Sequence, residues 1–242
     1  MTTSPVVTQR ENDEKGVRRL GLGAGLGFAG ALLAIVIPLL FLFLVADFPG
    51  GFFVLNSQLV QVSSILVLAG SILLLLSLFV YRRGFAALRK TDPRFYAASV
   101  LCIVGSIGFL LLFITAAIVV GNSSGLLSCA GGHPSHALSC LESGQPLGAV
   151  TGTVGFLLGW IGGVGIMLGL FLAGSRFRNG SLSASGGAYG ILLLILIVPF
   201  LELVIALPDA SYLLVIAPVM AIMGPGLALE GCMRTNRRLA PA

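Results

Sequence analysis

The segment Cys129-Ala-Gly-Gly-His133-Pro-Ser-His136-Ala-Leu-Ser-Cys140 holds the residues whose types and spacing best suit chemistry. It reads Cys, three residues, His, two residues, His, three residues, Cys. On an oxidising side of a membrane, Cys129 and Cys140 are expected to form a disulfide. Closing a loop of this length is worth roughly 3 kcal/mol if the gain is chain entropy. A zinc or copper ion held by both cysteines and both histidines is the alternative, since zinc takes four N or S ligands. The spacing departs from Cys-x2-Cys and His-x3-His pairs, which weakens that option. A third reading keeps the disulfide and leaves His133 and His136 to bind a surface metal or sense protons. A fourth makes the two histidines solvated loop residues. Pro134 keeps His133 out of a helix and suits the first turn of a short one, in which His136 and Cys140 share a face. No other cofactor is expected.

Glu202 is the second candidate. A carboxylate inside an apolar stretch is costly and serves as an ion, proton or substrate site by default. It stands near Pro208, close enough to reach an interface, so a structural role competes. The polar start of the second apolar stretch, Asn56, Ser57, Gln58, Gln61, Ser63 and Ser64, falls at the same level.

The elements that must position these groups follow from composition. The 242-residue chain is 57% hydrophobic and 10% charged, far from the roughly one-quarter charged content of soluble domains. Six runs are long enough to cross a bilayer: 20–45, 59–81, 97–120, 149–173, 187–207 and 211–232. Lipid cannot satisfy backbone polar groups, so these runs are expected to be helices. The fold class is therefore an all-α membrane protein, a six-transmembrane-helix bundle. Residues 1–19 form an N-terminal tail, 121–148 the Cys/His loop and 233–242 a C-terminal tail.

All 14 Lys and Arg lie in the N-terminal tail, after the second span, after the fourth span, or in the C-terminal tail. The opposite segments hold none. The positive-inside rule then puts both termini in the cytoplasm and the Cys/His loop outside, in the plasma membrane. The net charge of +5 thus reflects topology and anionic headgroups, and nucleic acid is not expected as a partner. Asn122-Ser-Ser124 is an outward glycosylation sequon.

The 33 glycines suit close helix packing in lipid. Gly148, Gly152, Gly155, Gly159, Gly163 and Gly169 recur along the fourth span, and Gly23, Gly27 and Gly30 along the first. The expected use is packing within one chain, with contact to another subunit or a second copy as the alternative. Gly25-Leu-Gly27-Phe-Ala-Gly30 imitates a dinucleotide-binding pattern, but no strand precedes it. Pro218, Gly224, Pro225 and Gly226 mark a hinge in the sixth span. Glu230 and Arg234 read as a helical ion pair, and Cys102 and Cys232 as buried small residues.

Arg83-Gly-Phe85-Ala-Ala-Leu88-Arg-Lys-Thr-Asp92-Pro93-Arg-Phe95 and the later Gly174-Ser175-Arg176-Phe177 resemble a family of archaeal multi-pass membrane proteins of unknown function. The resemblance implies an integral membrane protein and assigns no catalytic residues. The chain contains no nucleophile elbow or phosphate loop, so enzyme chemistry has little support. The leading expectation is a non-enzymatic structural or accessory subunit. The alternatives are a small transporter or channel using Glu202 and the polar start of the second span, and an extracytoplasmic metal-binding or redox accessory protein. Peptide mapping after alkylation without reductant is expected to leave Cys129 and Cys140 unmodified. Alkylation of both before reduction would show that they are free thiols.

Overall fold

A computed structural model of the chain describes residues 5–36, 57–121, 146–205 and 216–239. Within them, side chains are described at 8–34, 65, 66, 68–115, 150–197 and 216–239. The described residues form six helices: α1 (Pro5–Ala31, running on as a π-helical turn, Leu32–Val36), α2 (Ser57–Arg89), α3 (Phe95–Gly121), α4 (Pro146–Arg176), α5 (Gly180–Ile205) and α6 (Ala217–Leu239). The polar stretch up to Arg19, expected as a tail, is helical from Pro5 onward. Five helices are long and apolar enough to cross a membrane: Thr8–Ala34, Leu68–Arg89, Phe95–Thr115, Val150–Arg176 and Gly180–Ile197. α6 is not among them: its described residues carry Glu230, Arg234, Arg237 and Arg238 in the second half.

Each helix packs on the next in the chain, and α6 packs back on α1. The described bundle is therefore a closed ring of six. Each joint has its own cause. Between α3 and α4 the backbones themselves touch: a Cβ added to Gly105 would lie 2.3 Å from Cα of Gly162, and one added to Gly108 would lie 2.2 Å from N of Gly159. Between α1 and α2, Gly23 lies under the Tyr81 ring, Gly30 meets Gly70 and Leu74, and Ser77 Oγ donates to Gly23 O at 2.7 Å. Trp160 Nε1 donates to Leu193 O at 2.9 Å and joins α4 to α5. Ser185 Oγ donates to Gly224 O at 2.6 Å and joins α5 to α6. Arg10 closes the ring, its Nε and Nη2 donating to Leu239 O at 3.0 and 2.7 Å.

The fourth-span glycines do not all share one neighbour. Gly155 backs onto Gly108 and Leu112 of α3, and Gly152 meets Thr115. Gly163 turns the other way, to Leu193 of α5, and Gly159 has its N against Gly108, while a Cβ there would meet the Phe109 ring edge at 3.4 Å. Gly162 and Gly165 complete the α3 seam, and Gly169 accommodates Phe85 of α2. Gly155 and Gly162, which both meet the α3 backbone, stand seven residues apart. That spacing keeps one line of a helix against a neighbour.

Gly162→Ala is expected to destabilise the detergent-solubilised protein by about 1–3 kcal/mol, because the new Cβ meets backbone. Gly187→Ala, whose Cβ would meet nothing within 4 Å, is expected to shift stability by less than about 0.5 kcal/mol. Denaturant or thermal unfolding midpoints of the two variants check the contrast.

Candidate functional site

The two loops at the arginine-rich end have specific local causes. Asp92 ends the α2–α3 turn and caps α3: its Oδ1 accepts from Arg94 N at 3.0 Å, with Pro93 opening the helix. At the end of α4 the chain makes a Schellman turn. Asn179 N donates to Gly174 O at 2.9 Å, and Arg178 takes the left-handed conformation (φ 49°) in the position glycine usually holds. Asn179 then caps α5 through its Oδ1, which accepts from Ser181 N at 3.0 Å. Its Nδ2 donates to Gly231 O at 2.8 Å and to Thr235 Oγ1 at 2.9 Å, fixing the start of α5 on α6.

These turns bring distant charges together. Arg176 Nη2 lies 2.9 Å from both carboxylate oxygens of Asp13 on α1, and Arg176 Nη1 is 3.7 Å from Asp92 Oδ2. Thr91 Oγ1 sits 2.8 Å from Asp13 Oδ1 and 2.9 Å from Leu88 O, sharing one proton between them. The Arg176 and Asp13 side chains are only 16% and 12% exposed, so this is a nearly buried pair. Glu230 and Arg234 also pair as their spacing predicts, but on an exposed surface.

Next to this cluster, Tyr81, Phe85 and Phe95 stack in sequence. Their ring centroids are 6.0 and 6.1 Å apart, with interplanar angles of 17° and 16°. All three are fully buried, with Leu20, Leu88, Leu170 and Leu182 around them. Phe85 fits where Gly169 has no side chain. Thus the two ends of the Arg-Gly-Phe…Asp-Pro-Arg-Phe segment meet each other through Phe85 stacked on Phe95, and the segment meets Gly-Ser-Arg-Phe through Asp92 beside Arg176.

Residues 13–238 match the model of a family described as proteins of unknown function, DUF973. The chain belongs to that family. No curated protein and no solved structure matches it. The matched span opens at Asp13, and it contains every member of the ion-pair cluster and the aromatic stack.

On the other side of the aromatic stack from the arginines lies a chamber of about 290 Å³, lined by all six helices. Its walls include Ala31 of α1, Leu74 of α2, Phe109 of α3, Trp160 of α4, Tyr189 of α5 and Pro225 of α6. The expected hinge thus contributes to this wall, and Pro225 has no N–H to return to Ala221, which also lines the chamber. Cys102 and Cys232 are free and buried in the core beside the stack.

Cys129, His133, His136 and Cys140 lie outside the described residues, as does Asn122. Glu202 falls within α5, but its side chain lies outside the described ones, as do those of the polar start of α2 through Ser64. Asp13, Thr91, Asn179, Tyr81 and Tyr189 were not singled out from the sequence. The one usable signal was the recurrence of Arg-Gly-Phe and Ser-Arg-Phe at two loops on the basic side.

Arg176→Met is expected to destabilise the protein by about 3 kcal/mol, because Asp13 would stay nearly buried with no cation. Arg234→Met, on the exposed pair, should cost less than about 1 kcal/mol. Unfolding midpoints in detergent test this, and Asp13→Asn added to Arg176→Met should recover part of the loss.

Proposed function

We propose that the chain is a non-enzymatic carrier of a small apolar molecule, embedded in the plasma membrane with its arginine-rich end in the cytoplasm. The observation supporting this is the chamber at the centre of the helix ring. A volume of about 290 Å³ lies just below the ~300–1,000 Å³ usual for small-molecule sites, and its lining is mostly apolar, as such sites are. The aromatic stack and the Arg176 cluster fill the ring on one side of the chamber, as the shut gate of a carrier must.

This reading takes up the transporter alternative in place of the leading expectation of a structural or accessory subunit, and moves its site from Glu202 and the polar start of the second span to the chamber. It is preferred over a scaffold that docks through the α4 glycine face, because α3 of the same chain already fills most of that face. The charge distribution supports the orientation, placing the 121–148 loop outside, with a Cys129–Cys140 disulfide as its closure. The loop and span motifs support an archaeal-type membrane protein.

Trp160 is the sole tryptophan and lines the chamber, so its fluorescence reports occupancy directly. 2-Bromonaphthalene, a heavy-atom quencher, is expected to quench Trp160 saturably in the purified protein. Ala221→Leu, which fills part of the chamber, should weaken the apparent affinity by about tenfold or more, a loss of roughly 1.4 kcal/mol. Quenching that rises linearly in both proteins would refute the carrier reading.

A further inference from the structure

We infer that the chamber takes an amphiphile about two fused rings in size, apolar over most of its surface, with one hydroxyl or carbonyl that the Tyr81 and Tyr189 hydroxyls receive. The inference rests on the carrier reading and names the class of molecule carried.

Size comes from volume. About 290 Å³ is nearly twice the ~150 Å³ of a cavity that admits one benzene. The apolar demand comes from the walls, which include Leu74, Phe109, Leu112, Phe156, Leu192 and Leu196.

The polar demand comes from what remains unspent. Ser77 and Trp160 line the chamber, but Ser77 Oγ already donates to Gly23 O and Trp160 Nε1 to Leu193 O. The Tyr81 hydroxyl is different. It is fully buried and makes no well-formed hydrogen bond among the described residues, the group within hydrogen-bonding range being the Tyr189 hydroxyl. Buried hydroxyls are ordinarily satisfied, so an orphan calls for an explanation.

Its position supplies one. Tyr81 stands one turn beyond Ser77 and Leu78, which line the chamber, and helical side chains lean toward the N-terminus of their own helix. On α2 that direction leads from the aromatic stack toward the chamber. The Tyr81 ring lies against Gly23, one turn from chamber-lining Gly27. The Tyr189 hydroxyl is within hydrogen-bonding range of the Tyr81 hydroxyl, and Tyr189 itself lines the chamber, its ring on Gly224. The Tyr81 hydroxyl thus meets that of chamber-lining Tyr189 just behind the chamber wall, and a bond between the two spends only one of their two protons. A ligand oxygen placed there accepts the pair's remaining proton while the rest of the molecule occupies the apolar volume.

The test compares two Trp160 quenchers of matched shape, 2-bromonaphthalene and 6-bromo-2-naphthol. In the parent chain the naphthol is expected to bind about tenfold tighter, the scale of one buried hydrogen bond. Tyr81→Phe should bring the two within about twofold of each other and leave 2-bromonaphthalene unchanged. Tyr189→Phe serves as the second variant if Tyr81→Phe does not fold, and should also narrow the ratio. Equal affinities in the parent chain, or an unchanged ratio in the folded tyrosine variant, would overturn the inference and leave the chamber standing. Absence of saturable quenching by either probe would remove the carrier reading and this inference together.

Discussion

Arg176 and Asp13 hold two helices that are not neighbours. In the ring of six, α1 and α4 stand on opposite sides, and their ion pair spans 163 positions of sequence. Adjacent seams fix only the distance from each helix to the next. A ring joined that way can still flatten or splay. A near-buried charge pair across it resists both, since separating the partners would leave a poorly hydrated charge. Asp92 and Thr91 extend the brace to the α2–α3 turn. The stack of Tyr81, Phe85 and Phe95 fills the space beneath it, so charge and packing close the same end.

The rest of the molecule relates to that closed end by contrast. Where glycine meets glycine, as at Gly105 and Gly162, the backbones come together and no void remains. Farther along, the facing side chains belong to opposite walls and do not meet, and the chamber is what is left. A void lined by apolar groups forfeits dispersion contacts that a packed core would make. The ring tolerates that loss because its seams are dense elsewhere, and the polar chamber groups Ser77 and Trp160 bond to backbone carbonyls instead of facing empty space.

Sequence reasoning read the helices well and their rotation poorly. The glycine period along α4 was visible, and a neighbour at that face was expected. Which glycines met α3 was not visible, because Gly162 and Gly163 are adjacent and either fits a repeat of three or four. Only the partner decides, and Gly162 meets Gly105 whereas Gly163 meets Leu193. The Phe85 and Asp92 segment stood out, as did Arg176, but as separate short strings. Asp13 read as part of a polar tail, and nothing around it suggested a partner.

The sequence by itself determined the elements: apolar runs too long for a soluble core, helices required where lipid satisfies no backbone group, and basic residues confined to alternate loops. It also determined local pairs such as Glu230 with Arg234, because positions four apart on a helix are neighbours whatever surrounds them. Only the tertiary structure decided the ring closure, the Asp13–Arg176 brace, the meeting of the Tyr81 and Tyr189 hydroxyls and the chamber. Each depends on how far one helix is rotated against another, and that angle is set by side chains on two segments at once. No single stretch of sequence contains it.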